Sequence, residues 1–140
     1  RHIGKKCETY SYSNMMYQEA IMSDSQTCAI CISYSGVSNE LIETAKLLKN
    51  NDVPIIAITS IGENDLSKIS NVKLSLTTRE KSYTKIAGFS TIESISLVLD
   101  ILYSCYFASN FDNHFAYKTK VAESTEKRKK TNIIIDEISD

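Results

Sequence analysis

The hydrophobic and polar positions of this chain switch between two periods, and the switches mark its elements. Cys28 to Ser33 is a continuous apolar run closed by a hydroxyl, the pattern of a parallel strand buried on both faces. Soon after it, Leu41, Ile42, Ala45 and Leu48 recur at helical spacing, with Glu43, Lys46, Lys49 and Asn50 on the opposite side. Asn51-Asp52 ends that helix, and Pro54 blocks any return to it. Ile55 to Ser60 is then a second buried strand. Strand, helix and strand within ~30 residues form a βαβ unit, so the two strands are parallel and the crossover right-handed.

The same reading extends outward from this unit. Cys7 to Tyr12 alternates as a short strand, and Ser13-Asn14 caps a helix over Met15 to Met22. Asp65 to Ile69 gives one or two helical turns, and Val72 to Thr77 alternates as a third strand. A polar loop, Thr78 to Gly88, follows. Ser90-Thr91 caps a long helix, Ile92 to about Phe107, apolar all round except at Glu93, Ser96, Asp100 and Ser104. A helix so apolar is expected to be buried, in the core or in a subunit interface. Phe111 to Lys130 reads as a charged, exposed helix whose end, Lys127-Arg-Lys-Lys130, suits the helix dipole. Thr131 to Asp140 is a tail whose Ile133-Ile-Ile135 has no assigned partner. At the other end, Ile3-Gly4-Lys5-Lys6 has the order of a helix stop with no helix before it, so the chain reads as beginning mid-domain. The class is α/β: a doubly wound, flavodoxin-like parallel sheet flanked by helices.

Composition narrows this picture without changing it. The chain has 140 residues with 42% hydrophobic content, enough for one core. Its 16 basic and 17 acidic residues nearly cancel, which is not the footprint of a nucleic-acid-binding domain. No uninterrupted apolar run approaches the ~18–20 residues of a membrane span, and no signal-type segment follows the start. A cytoplasmic protein is expected, with no membrane partner. Cysteines at 7, 28, 31 and 105 fit a reducing compartment. Cys28 and Cys31 form C-x-x-C, but residues three apart on a strand face opposite sides and no second pair completes a ligand set, so no metal and no cofactor are expected.

The candidate chemistry lies where the first buried strand meets its helix. There the first helical N–H groups lack acceptors and the dipole adds positive character, which suits an anion. Ser33, Ser35 and Ser38 add hydroxyl donors around the turn, and Gly36 lets the backbone bend and a ligand approach. Turns of this composition also arise simply as helix caps. Gly36, Gly62 and Gly88 all fall at or near loops after predicted strands, on the sheet edge where open α/β folds bind ligands.

Ile32-Ser-Tyr-Ser-Gly-Val-Ser-Asn-Glu40, then Ile55-Ile-Ala-Ile-Thr-Ser60, then Gly88-Phe-Ser-Thr91 together resemble the sugar isomerase (SIS) domain, and more narrowly the effector-binding domain of RpiR-type transcriptional regulators. The first motif is similar to the family's S-x-S-G-x-[ST] phosphosugar loop, and the last to its G-x-F-S-S segment. The resemblance covers about residues 1–130. It implies that Ser33, Ser35 and Ser38, with the N–H groups of Tyr34 and Gly36, bind the phosphate of a sugar phosphate. It also implies that the loop around Thr84 to Gly88, with Lys85 and Gly88, closes over the sugar. Homodimers or tetramers are implied, as is DNA contact through an N-terminal helix-turn-helix domain not in this chain. Two departures stand out. The family's opening strand with its G-x-G-x-S loop is missing, and F-S-S-R reads Phe89-Ser90-Thr91-Ile92, without the Arg.

A sensor of sugar phosphate needs only differential affinity between two arrangements. The alternative, an aldose–ketose isomerase, needs a general base near the sugar. The histidines are His2 in the start and His114 beyond the long helix; Glu40 and Glu93 are the available carboxylates, each on a helix where capping or a surface role is commoner. No catalytic residue is assigned. A third reading is an interaction domain that has lost its pocket.

Overall fold

The computed structural model describes residues 3–77 and 89–129. In chain order the elements are α1 (Ser13–Met22), β1 (Ala29–Ile32), α2 (Asn39–Asn50), β2 (Ile55–Ser60), α3 (Asp65–Ile69), β3 (Val72–Leu76), α4 (Phe89–Ser109) and α5 (Phe111–Lys129). They fall into two compact units, Thr9–Ile101 and the pair of segments Arg1–Glu8 and Leu102–Asp140.

The first unit holds a parallel sheet in the order β1-β2-β3. Ala29 lies beside Ile55 and Ile32 beside Ile58, while Ile56 pairs with Val72 and Ser60 with Leu76. The βαβ unit expected from periodicity is therefore present, with α2 as its crossover. Since strand side chains alternate, this register puts Cys31, Ile55, Ala57 and Thr59 on one face. That face meets Ala45 and Leu48 of α2, Ala20 of α1 and Leu66 of α3 in one buried cluster. Full burial of an Ile or Leu stabilises by roughly 1.5–3 kcal/mol, and Ile55 and Leu66 are wholly enclosed. Leu41 and Ile42 pack at the margin of the cluster, as the helical spacing predicted. Asn51, the C-cap of α2, donates its amide to the Ala20 carbonyl at 2.9 Å, so α1 and α2 are tied at their C-terminal ends.

Several elements depart from the sequence reading. Cys7 to Tyr12 forms no strand: Tyr12 is 72% exposed, and all but Tyr10 of the segment is exposed. Its alternation has no neighbouring strand among the described residues to pair with. α1 starts at Ser13 with Tyr12 at its N-cap, not at Met15 behind a Ser13-Asn14 cap. β1 is not buried on both faces. It is an edge strand among the described residues, with Cys31 buried but Ile30 and Ile32 43% and 41% exposed. The apolar run recorded what the strand can bury, not what covers it here.

α4 also departs. It is as apolar as its sequence predicts, but little of it is buried within this chain, and Ile92, Leu97 and Ile101 are exposed. Ser90–Ser109, with mean hydropathy 1.3, is by length and composition long enough to cross a membrane. Counting uninterrupted apolar runs passes over it because Glu93, Ser96, Asp100 and Ser104 break the run. In the second unit, α4 turns into α5 through Asn110, whose carbonyl accepts from the His114 N–H.

Candidate functional site

The turn Ser33–Ser38 continues the β1 ladder and then leaves it. Ser33 N–H still donates to the Ile58 carbonyl at 3.0 Å, and the Tyr34 carbonyl accepts from Ser60 N–H at 3.0 Å and from the Thr59 hydroxyl at 3.3 Å. Gly36 then donates its N–H to Ser33 Oγ at 3.2 Å, closing a tight turn. Its φ of +66° is in the left-handed region that glycine reaches without strain. There is a second reason for glycine. A Cβ at this position would fall on the side-chain amide of Asn64, well inside contact distance.

Asn64 is the N-cap of α3. Its Oδ1 accepts from Ser67 N–H at 3.0 Å while Ser67 Oγ accepts from Asn64 N–H at 2.9 Å, a reciprocal capping box. The amide Nδ2 donates to Thr59 Oγ1 at 2.9 Å, and Leu66 N–H donates to the Gly36 carbonyl at 3.0 Å. The turn after β1 is thus braced from behind by the end of β2 and the start of α3. Sequence reasoning missed Thr59, Asn64 and Ser67. The signal was available in Asn64-Asp-Leu-Ser67, a capping-box spacing just after Gly62.

Exposure varies along the turn. Ser33 and Tyr34 are half-buried, Gly36 is buried, and Ser35 and Ser38 are exposed. Ser38 sits at the N-cap of α2 in extended geometry and makes no side-chain capping bond. The first intrahelical bond runs from Ile42 N–H to the Ser38 carbonyl, so the N–H groups of Asn39, Glu40 and Leu41 precede it and face the end of the helix. This arrangement can receive a compact anion on hydroxyls and peptide N–H groups. Beside it, a groove of about 530 Å³ runs between the first turns of α1 and α2, with Asn14, Tyr17, Asn39 and Glu40 among its lining. Five of the predicted ligand residues, Ser33, Tyr34, Ser35, Gly36 and Ser38, therefore share one turn. Lys85 and Gly88 lie outside the described residues.

The other candidate groups sit apart from this chemistry. His114 is buried in the second unit, where its Nδ1 donates to the Phe107 carbonyl at 3.0 Å and its ring stacks on Tyr106 with centroids 5.1 Å apart. That is the work of a helix-end clamp. Glu40 and Glu93 are exposed. Cys28 is exposed at the entrance of β1, whereas Cys31 is enclosed; desolvation, and secondarily the neighbouring Cys28, push its thiol up to about 11.

A parallel sheet flanked by helices, with a hydroxyl-lined turn between β1 and α2, defines an α/β domain of the open-sheet class. The chain belongs to the SIS domain family, whose profile matches residues 1–105. Among curated relatives, it is 25% identical over 126 residues to an uncharacterized HTH-type transcriptional regulator of Caldanaerobacter subterraneus subsp. tengcongensis, covering 90% of this chain and 44% of that protein. It is 31% identical over 110 residues to an uncharacterized HTH-type transcriptional regulator of Clostridium perfringens, covering 79% of this chain and 39% of that protein. Arabinose 5-phosphate isomerase KdsD of Francisella tularensis subsp. tularensis is 47% identical over 47 residues, which is 34% of this chain and 14% of that enzyme. Among solved structures, the Vibrio vulnificus NanR protein complexed with ManNAc-6P superposes with a TM-score of 0.77 at 25% identity, over 90% of this chain and 47% of NanR. The chain thus spans less than half the length of the regulators it matches.

Proposed function

We propose that residues 1–130 are the effector-sensing domain of an RpiR-type transcriptional regulator of carbohydrate metabolism, and that the effector is a sugar phosphate. One observation carries this reading. The turn Ser33–Ser38 presents hydroxyls and helix-terminal N–H groups at the C-terminal edge of the sheet. It does so in a fold whose solved neighbour is complexed with ManNAc-6P. In this reading Ser33, Ser35 and Ser38, with the Tyr34 and Gly36 N–H groups, hold the phosphate, and Lys85 and Gly88 belong to the segment that closes over the sugar. The protein is cytoplasmic. It works as a homodimer or tetramer, and DNA contact falls to a helix-turn-helix domain outside these residues.

Calorimetry with ManNAc-6P and other hexose 6-phosphates tests the site. Ser33→Ala and Ser35→Ala should each weaken binding by about tenfold or more, because a hydrogen bond to a charged group contributes roughly 1.5–3 kcal/mol. Equal affinity in both variants and the native chain would refute the assignment.

A second reading, a sugar-phosphate aldose–ketose isomerase, draws on the short stretch shared with arabinose 5-phosphate isomerase. Among the described residues, His114 is committed to the Phe107 carbonyl, and Glu40, an exposed carboxylate in the first turn of α2, is the base nearest the turn in sequence. Conversion of arabinose 5-phosphate followed by NMR decides between the two, since turnover by the purified chain would establish the isomerase.

A further inference from the structure

The residues proposed to hold the phosphate at Ser33–Ser38 set the shape of their turn only in part. An internal tie of the turn is the Gly36 N–H to Ser33 Oγ bond at 3.2 Å. Its other restraints come from residues distant in sequence. The Tyr34 carbonyl is gripped by Ser60 N–H and Thr59 Oγ1, and the Gly36 carbonyl by Leu66 N–H. The Asn64 amide fills the space where a Gly36 side chain would project. Thr59 and Asn64 are themselves joined at 2.9 Å, and Thr59 is fully enclosed on β2.

We propose that Thr59 and Asn64 form a positioning pair for the sugar-phosphate turn: the relay from the Asn64 amide through the Thr59 hydroxyl to the Tyr34 carbonyl holds the turn, closed by the Gly36 N–H to Ser33 Oγ bond, in the shape that presents the Ser33 and Ser35 hydroxyls. The proposal rests on the sugar-phosphate reading of the turn, and neither residue touches the ligand. The proton order fits one arrangement. Asn64 Nδ2–H donates to Thr59 Oγ1, leaving the Thr59 hydroxyl hydrogen for the Tyr34 carbonyl, so both partners are satisfied and the direction of the chain is fixed. An anion bound by several fixed dipoles loses affinity when the dipoles must first be gathered, which is the physical meaning of preorganisation here.

The relay separates from ordinary fold support by choice of substitution. Thr59→Val keeps the shape of the enclosed side chain and removes the hydroxyl, Thr59→Ser restores the hydroxyl, and Asn64→Ser keeps an N-cap acceptor for α3 while removing the amide donor. Two readouts are made on the native chain and each variant: amide hydrogen exchange at Gly36 and Leu66, and titration with ManNAc-6P and with inorganic phosphate. Thr59→Val and Asn64→Ser should exchange faster at Gly36 and Leu66 and bind ManNAc-6P about fivefold to tenfold more weakly, while Thr59→Ser matches the native chain in both. Native protection at both amides in Thr59→Val and Asn64→Ser overturns the positioning role whatever the ligand does. Faster exchange with unaltered ManNAc-6P affinity also overturns it, because the turn then binds without being held. A native chain that takes up neither probe, with exchange still responding to Thr59→Val, would instead overturn the sugar-phosphate reading and leave the relay as a feature of the fold.

Discussion

Gly36 and Gly62 follow adjacent strands and both adopt left-handed φ, +66° and +97°, yet they are glycine for different reasons. At Gly62 nothing stands within 4 Å of the place a Cβ would take, so Gly62→Ala should cost only the dihedral term, about 1 kcal/mol. At Gly36 the Asn64 amide occupies the same space, so Gly36→Ala should cost clearly more, roughly 2–4 kcal/mol. Urea midpoints of the two variants compare them directly, and equal losses would mean that the interlock yields easily. Cys31 offers a second test. Its thiol is pushed up to about 11 by burial, against an ordinary value of 9.0. The folded form therefore keeps a proton that the unfolded chain releases, so this contribution is complete below about pH 9 and is lost as the pH rises toward 11. The stability gap between the native chain and Cys31→Ala should narrow across that same interval. A gap independent of pH would show that the thiol ionises as freely folded as unfolded.

The elements most legible in sequence were those whose environment is built from near neighbours. α2, β2 and the short α3 fall where periodicity and the stop at Pro54 put them, and the parallel pairing of β1 with β2 follows from the length of the connection between them. Within the candidate site, the serines and Gly36 were legible because a strand running into a hydroxyl-rich helix start is a local pattern. The brace behind them was not, since Gly36 and Asn64 meet only after α3 folds back against the turn. The strand expected over Cys7 to Tyr12 failed for a related reason: alternation specifies a face but supplies no neighbour to pair with. β1 and α4 show the same gap from the apolar side. Their composition states that surface should be covered and says nothing about which surface covers it.

That question belongs to the molecule as a whole, and α4 poses it most sharply. Its charged residues are the acids Glu93 and Asp100, and it displays Ile92, Leu97 and Ile101 at 61%, 60% and 53% exposure. Leu97 and Ile101, four residues apart, share one face of the helix and Ile92 lies on another; the homodimer proposed above would give such exposed apolar side chains an occupant. Leu97→Glu should convert the native assembly to monomer in sedimentation velocity while leaving the far-UV helical signal intact. A native chain that is monomeric at tens of micromolar, or a Leu97→Glu protein that stays assembled, would exclude α4 as the contact. The edge of β1, uncovered among the described residues, has a different outcome. Ala29 and Ser33 spend their N–H groups on Pro54 and Ile58, so those of Ile30 and Ile32 point to the side that no described strand pairs with, flanked by their own exposed side chains. A short apolar edge of this kind is a template for strands of other molecules, and it carries neither the lysine nor the proline that usually blunts one. Wherever this edge is uncovered during synthesis or refolding, productive folding must outrun cross-β capture at the strand, and a charge introduced at position 30 would act as a gatekeeper.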